Sequence, residues 1–180
     1  MIYHSIRPGK IWLDTEGKRI QAHSGPPDVR EAAAHFRRKG KHYLLTSGTT
    51  GYFPNPSEIA VADTWHGPWK ELGDPHPGDR SRTSYHSQIS SVFKVEGKED
   101  LYIAVADRWL PEAMDKKYEI YAEMFRNMFQ NDGKSFGFSR MGEMVVENTC
   151  IADYVWLPLR FENEMAYIDW KDEWRVEDYR

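Results

Sequence analysis

Short apolar runs, interrupted by glycine and proline, make up the first half of the chain. Between Met1 and Gly78 the interruptions are Gly-Lys, Gly-Pro, Pro-Asn-Pro and Pro-Gly combinations, with no long amphipathic stretch between them. Such a pattern is typical of β-strands joined by tight turns. A second series of short apolar runs follows after Gly78. Together the two series predict strands at Lys10–Asp14, Arg19–His23, Glu31–Arg37, Lys41–Ser47, Glu58–Asp63, Trp69–Leu72, Ser87–Val95, Asp100–Asp107, Tyr154–Phe161 and Met165–Trp170.

A single stretch, from Pro111 to about Gln130, has helical spacing of its apolar residues. They recur there at steps of three and four: Tyr118, Tyr121, Met124, Phe125, Met128 and Phe129. This periodicity predicts an amphipathic helix, with its apolar face packed on the sheets or on another subunit. The segment Asn131–Thr149 mixes glycine, serine, asparagine and charges, and this composition predicts a long loop.

Comparison of the sequence with itself gives two alternative internal repeats. The heptads Ile59–Trp65 and Ile103–Trp109 are nearly identical at an offset of 44, but their flanks do not match. An offset of 57 instead aligns two whole hairpins with their glycine turns, Arg38-Lys39-Gly40 and Glu96-Gly97-Lys98. Repeated four-stranded antiparallel units of this kind indicate a β-propeller or a related stack of sheets. The predicted fold is therefore all-β, with about three propeller-derived blades and one inserted helix.

The predicted organisation is a single domain. Residues 1–25 form closing strands, 26–78 form one blade, 79–110 with 152–180 form another, and 111–151 form a helical and loop insertion.

The 57-residue offset also superposes Glu31 on Gln88, at the starts of the predicted innermost strands. Such starts line the central channel of a propeller, so the two residues either share a pocket or are ordinary polar strand ends.

Charge and hydropathy exclude several classes of protein. The 180 residues carry a formal charge of −4 and a pI near 6.0, so we expect neither nucleic acid nor a membrane as partner. A mean hydropathy of −0.73 without an 18-residue apolar run predicts a soluble chain. The opening MIYHSIRPGK lacks the apolar stretch of a signal peptide. The single cysteine, Cys150, provides no internal disulfide, metal knuckle or redox pair.

Aromatic residues make up 14% of the chain, with 7 Trp and 10 Tyr. Rings in such number suit a stacking surface for sugars or bases, although packing between β-strands explains most of them. Neither a nucleotide-binding glycine motif nor histidines at metal-ligand spacing occur, so we expect no metal and no cofactor. What remains is an arrangement of carboxyl and amide groups beside aromatic rings, as in glycosidases, with Glu31 as the candidate acid.

Several segments resemble glycoside hydrolase family 43, in the branch of the galactan 1,3-β-galactosidases. The matching segments are Arg30–Asn55, Ala60–Trp69, Ser87–Phe93, Ala106–Trp109, Asp153–Leu159 and Ile168–Trp174. The resemblance implies a propeller with its site on the central axis and hydrolysis with inversion. It also implies that Glu31 is the general acid and that Gln88 positions the attacking water.

A polar and aromatic cluster at the end of a predicted strand, Asp107-Arg108-Trp109, suggests how a sugar is bound. The expected substrate-binding residues are Asp107, Arg108, Trp109, Tyr52, Trp156 and His23. Asp107 and Arg108 would hold hydroxyls, while Trp109, with Tyr52 or Trp156, would offer apolar ring faces. A buried core position is the alternative for Trp109.

The chain also departs from the family. It passes from Gly25 to Pro26 as if about two blades were omitted, and the insertion 115–151 has no counterpart in the compact family pattern. Three explanations follow: an inactive remnant, a subunit that completes its site in a homo-oligomer, or a small propeller with a changed ligand. We expect a homo-oligomer that hydrolyses β-linked galactose-containing glycans; the alternative is a non-catalytic carbohydrate-binding or interaction module. The family favours a secreted or periplasmic protein, whereas the opening sequence favours a cytoplasmic one.

Overall fold

The computed structural model describes residues 30–48, 50, 52–109, 118–120, 122–123, 150 and 152–180, together with the backbone of three strands in 2–21. The described strands form three antiparallel sheets. The first sheet contains β1 (Ile2–His4), β2 (Lys10–Leu13) and β3 (Lys18–Gln21). The second sheet contains β4 (Arg30–Arg38), β5 (Lys41–Gly48), β6 (Glu58–Ala62) and β7 (Lys70–Gly73). The third sheet contains β8 (Gln88–Lys94), β9 (Tyr102–Arg108), β10 (Asp153–Glu162) and β11 (Met165–Ile168).

The all-β class and its four-stranded antiparallel units are confirmed. Each of the ten predicted strands is present with closely similar bounds. Strand β1 is an addition, because three residues are too few to show a periodic pattern. A short 3₁₀ helix at Val176–Asp178 follows the last strand. No helix among the described residues is long and apolar enough to cross a membrane.

Only part of the predicted helix belongs to the described residues, namely 118–120 and 122–123, and that part is helical. Tyr118 and Ala122 are buried, and the backbone N–H of Tyr118 donates to the Ser81 carbonyl at 3.1 Å. These two residues therefore pack against their own chain. Tyr121, Met124, Phe125 and Met128, and the predicted loop Asn131–Thr149, lie outside the described residues.

The principal core lies between the second and third sheets, where β4 runs beside β8. Phe36 stacks on Tyr43 with ring centroids 4.8 Å apart. Phe36 also meets Tyr102 and Phe161 of the third sheet, and Tyr43 meets Phe161. Aliphatic residues at alternate strand positions extend this core, as the period of two along a strand requires. They include Leu45, Ile59, Ala104, Ala106, Val155 and Leu157.

One charged pair closes this core at the end of β4. Arg38 is buried, and its Nε donates to Asp100 Oδ1 at 2.9 Å while Nη2 donates to Oδ2 at 2.5 Å. The guanidinium also lies 3.8 Å from the centroid of the Phe161 ring. Two parallel charge-assisted bonds of this kind fix geometry as well as adding energy. The pair therefore fixes the end of β4 to the segment that precedes β9.

We predict that Arg38→Met lowers the free energy of unfolding by about 2 kcal/mol, because it removes charge-assisted bonds from a buried guanidinium. The bonds from Arg38 lower the pKa of Asp100 below its ordinary value. The stability contributed by the Asp100 carboxylate is therefore complete above the unfolded pKa of about 3.9 and is lost as the pH falls through the lower folded value. The difference between wild type and variant should shrink below about pH 4 in urea titrations.

Lys41→Met is the matched control, because it removes a cation whose pairs with Asp63 and Glu164 are at the surface. A much smaller change than that of Arg38→Met is expected. Equal effects of the two variants, or a difference independent of pH, would contradict the role given to the Arg38–Asp100 pair.

The expected homo-oligomer stays a prediction, since most of the helix expected to carry it lies outside the described residues. Light scattering at micromolar concentration should report at least a dimer. Met124→Glu with Phe125→Glu should dissociate it by placing charges on an apolar contact. A mass of 21.1 kDa at all concentrations would contradict the prediction.

Candidate active site

Glu31 and Gln88 meet at the starts of the neighbouring strands β4 and β8. The Gln88 amide donates through Nε2 to Glu31 Oε1 at 3.0 Å and to Ser47 Oγ at 2.9 Å. Ser47 lies directly opposite Glu31 in the β4–β5 register, and it is buried. The two polar residues superposed by the 57-residue offset are thus in direct contact.

The indole of Trp109 fixes the orientation of the Gln88 amide. Trp109 Nε1 donates to Gln88 Oε1 at 3.0 Å, so the amide oxygen faces the indole and the amide nitrogen faces Glu31. The Trp109 ring in turn packs near Tyr52, with centroids 5.6 Å apart. Gln88 therefore uses both N–H groups and one of the two acceptor positions on Oε1. The second acceptor position is the one that could hold a water or a hydroxyl.

Both strands carry a one-residue bulge within three residues of the polar residue. In β4 the register shifts between Glu31 and Ala34, and in β8 it shifts between Ile89 and Ser91, one repeat further along. Ala32 has a φ of 51°, which lies in the left-handed region that β-bulges can require. Because a bulge re-aims the side chains beside it, the repeated bulge explains why both strand starts direct polar groups to one place.

The loop after β5 supports the site through Asn55. Asn55 Oδ1 accepts from the Gly48 N–H at 2.6 Å, while Nδ2 donates to the Gly48 carbonyl at 2.9 Å and to Thr50 Oγ1 at 2.6 Å. A Cβ on Gly48 would lie 3.3 Å from Asn55 Oδ1, so a side chain there would crowd this contact. These bonds account for Gly48 and Asn55 in the TSGTTGYFPN segment, Thr46–Asn55.

A second loop, 79–87, leads into Gln88. The Asp79 carboxylate accepts backbone N–H groups of Ser81, Thr83 and Tyr85 at 2.7–3.0 Å. Burial opposes ionisation of Asp79, but bonds from the Ser81 hydroxyl and from the backbone outweigh it and lower its pKa. The residues Ser84, Tyr85 and His86 all have φ between 54° and 59°, a left-handed turn that these bonds hold.

The two loops are joined by Ser84. Its hydroxyl donates to the Asn55 carbonyl and accepts from the Ser57 N–H, both at 2.8 Å. Ser47, Asn55, Asp79 and Ser84 were not among the expected site residues. The signal for them was the polar composition of the segments that contain them, which does not reveal long-range partners.

Asp107 lies next to this cluster on the third sheet. It is directly opposite Gln88 in the β8–β9 register, and opposite Tyr154 in the β9–β10 register. Burial raises the pKa of Asp107. Gln88, Asp107 and Tyr154 therefore form a row across three strands, since paired residues project to the same face of a sheet.

Arg108 and Trp156 lie elsewhere. The Arg108 Nη2 donates to the Tyr85 carbonyl at 2.9 Å, and its guanidinium lies 5.4 Å from the Trp170 ring centroid. Trp156 is exposed and packs near Phe93. Both residues line a separate groove, while His23 lies outside the described residues. The structure thus groups Glu31, Gln88, Trp109 and Tyr52, with Asp107 alongside.

The Glu31–Gln88 distance limits the chemistry of the site in this conformation. Inverting glycosidases separate their two carboxyl groups by about 6.5–9.5 Å to leave room for a water. The 3.0 Å contact between Gln88 Nε2 and Glu31 Oε1 leaves no such room. A water could enter between them only after the Gln88 side chain rotates. In the described part of the chain, no group of three or more His, Cys, Asp or Glu residues could hold a metal ion.

No protein-family model and no curated protein sequence matches the chain. Several solved structures, by contrast, are similar to the chain. A β-1,3-galactosidase of family 43 is 27% identical with a TM-score of 0.57, over 83% of this chain and 24% of its own. An exo-β-1,3-galactanase from Clostridium thermocellum is 25% identical with a TM-score of 0.50, over 78% of this chain and 23% of its own.

A third structure is that of an exo-β-1,3-galactanase from Phanerochaete chrysosporium in complex with β-1,3-galactotriose. It is 20% identical with a TM-score of 0.52, over 88% of this chain and 29% of its own, and this likeness concerns the fold alone. The expected resemblance is confirmed: the chain is similar to the β-propeller β-1,3-galactosidases and galactanases of glycoside hydrolase family 43, and it spans less than a third of the length of each of these three.

Proposed function

We propose that the protein is a glycoside hydrolase that acts on β-linked galactose-containing glycans, in the manner of an inverting exo-β-1,3-galactanase. The observation that carries this proposal is that the fold brings a carboxyl group, Glu31, and an amide, Gln88, together at the starts of β4 and β8. The similarity to a β-1,3-galactosidase and to exo-β-1,3-galactanases supports the choice of sugar and linkage. The partner is accordingly an oligosaccharide or polysaccharide.

Glu31 is the general acid in this proposal. Gln88 donates to Oε1, so the transferable proton belongs on Oε2, from which it passes to the departing glycosidic oxygen. Before the reaction the Gln88 amide rotates away from Glu31 and holds the attacking water through Oε1, its acceptor atom. The water attacks the anomeric carbon as the glycosidic C–O bond breaks, the proton that the water loses passes to solvent, and Glu31 takes up a proton from solvent to complete the cycle. Ser47 and Trp109 define the resting position from which this rotation starts.

The residues around Glu31 and Gln88 bind the substrate in this proposal. The Asp107 carboxylate accepts hydrogen bonds from sugar hydroxyls. Because its pKa is raised, full ionisation of Asp107 requires a higher pH than that of an ordinary aspartate. Tyr52, which is 43% exposed, offers a ring face to the apolar side of a sugar. Trp109 both supports Tyr52 and orients Gln88.

A second candidate function is a non-catalytic carbohydrate-binding module. The 3.0 Å contact between Glu31 and Gln88 favours it, because a binding site needs no space for a water between these groups. Under this alternative the same rings bind the glycan, and Glu31 serves as a hydrogen-bonding partner without transferring a proton.

We predict that Glu31→Gln lowers kcat for galactose release from β-1,3-galactotriose by about 10²–10⁴, because the amide has no proton to donate. Melting temperature and galactotriose affinity should stay close to wild type. Glu164→Gln is the control, since it makes the same chemical change at the β10–β11 turn, where Glu164 pairs with Lys41 and Lys70.

Two outcomes decide between the two functions, and a third tests the stereochemistry of hydrolysis. A folded Glu31→Gln variant with kcat within threefold of wild type would exclude Glu31 as the acid. Wild-type protein that binds galactotriose but releases no galactose would favour the binding module. An α-anomeric product observed first by NMR would establish inversion at the β-linkage, whereas an initial β-anomer would contradict it.

A second prediction separates the two roles of Trp109. Trp109→Phe keeps a ring but removes the N–H that holds Gln88, so kcat should fall about tenfold, as expected for one lost hydrogen bond, with KM nearly unchanged. Trp109→Ala also removes ring contact with Tyr52 and should raise KM. Equal kinetics of Trp109→Phe and wild type would show that the indole N–H does not position Gln88.

A further inference from the structure

A surface groove lies beside β10, on the third sheet. Strand β11 pairs only with Leu159–Glu162, so the same edge of β10 at residues 154–157 has no strand partner among the described residues. The segment 170–174 runs along this edge and encloses a volume of about 330 Å³. The Trp174 Nε1 donates to the Trp156 carbonyl at 2.8 Å and ties the segment to the strand.

Exposed aromatic rings are concentrated at this groove. Tyr154, Trp156 and Trp170 are 65%, 51% and 44% exposed, and they are three of the six large apolar side chains that are exposed in the described part of the chain. Trp174 is the fourth aromatic residue of the groove. Grouped exposed apolar residues usually mark a binding surface, whereas scattered ones do not.

The rings from the C-terminal segment are held in place by the protein itself. Trp170 Nε1 donates to Asp172 Oδ1 at 2.8 Å, and its ring lies 5.4 Å from the Tyr85 ring, centroid to centroid. The Arg108 guanidinium is at the same distance from the Trp170 ring centroid. Because these positions are fixed before any ligand arrives, a ligand would lose little affinity to the ordering of side chains.

Charges of both signs share the groove with the rings. Two basic residues, Arg108 and Lys171, are balanced by two acidic ones, Asp172 and Glu173. A nucleic acid would need a net positive surface, and an apolar peptide would need an apolar lining. A carbohydrate has apolar C–H faces for the rings and neutral hydroxyl groups that both donate to carboxylates and accept from cations.

The groove shares Tyr154 with the row of residues that starts at the candidate active site. Tyr154 ends the row that begins at Gln88 and passes through Asp107. Adjacent strands are about 4.8 Å apart, so the row spans about 10 Å from the backbone of Gln88 to that of Tyr154. An oligosaccharide of a few units held at Glu31 could therefore extend across Asp107 to the rings of the groove.

We propose that this groove is a second carbohydrate site, which binds the distal units of the galactose-containing chain whose terminal unit lies at Glu31. The choice of sugar rests on the proposed function. Arg108 and Trp156 thereby act on the glycan at a distance from the reacting bond. The groove makes affinity depend on chain length, because a single galactose at Glu31 does not reach it.

The test is a calorimetric titration with galactose and with β-1,3-linked galacto-oligosaccharides of two to five units, carried out in the Glu31→Gln background so that no substrate is consumed. Affinity should rise with chain length. Tyr154→Ala and Trp156→Ala should each weaken binding of the longest chain about 3–10-fold, as the loss of one ring contact predicts, and leave galactose unaffected. Both side chains are exposed, so folding should survive, as far-UV circular dichroism can check.

Tyr167→Ala is the matched control, because it removes a ring from β11 that packs on Arg160 outside the groove. Unchanged affinity for long chains in both groove variants would overturn the proposal, as would an equal loss in Tyr167→Ala. A change of oligomeric mass in Trp156→Ala would overturn it in favour of a protein interface. Failure of the proposed function has a different signature, because it is the absence of galactose release by the wild-type enzyme.

Discussion

The packing of β4 against β8 is the constraint on which the rest of the structure depends. The ring cluster of Phe36, Tyr43, Tyr102 and Phe161 holds the second and third sheets together, and the Arg38–Asp100 pair closes that contact at one end. At the other end the same packing brings Glu31 within 3.0 Å of Gln88. Because the core between the sheets is close-packed, a shift at the ring cluster would be transmitted to the site. Stability and chemistry therefore share one interface.

In the proposed mechanism the site combines a rigid frame with one group that moves. Asn55, Asp79 and Ser84 fix the two loops around Gln88 through buried hydrogen bonds, and such networks hold a single arrangement when they are fully satisfied. Gln88, by contrast, must exchange its contact with Glu31 for a water if hydrolysis is to occur. The rotation gives up the bonds from Gln88 Nε2 to Glu31 and Ser47, and because each neutral hydrogen bond is worth only about 1 kcal/mol net, substrate binding can supply the cost.

Aromatic residues serve two purposes in this chain, and their surroundings distinguish them. Rings such as Tyr43 and Tyr102 are buried between the sheets, whereas Trp156 and Trp170 remain exposed beside charged residues. This division explains how a chain with a mean hydropathy of −0.73 can be 14% aromatic. Part of its apolar surface is therefore available to the carbohydrate ligand that we propose.

The sequence alone predicted the strands and the hairpins and superposed Glu31 on Gln88, because these follow from local periodicity and from the 57-residue repeat. The contact between Glu31 and Gln88 was decided by the tertiary structure. The tertiary structure decided which residues support the pair. Ser47, Asn55 and Asp79 act on partners fixed by loop conformation, which local composition does not encode. It also separated Arg108 from its neighbours Asp107 and Trp109, because successive residues of a strand point to opposite faces of the sheet.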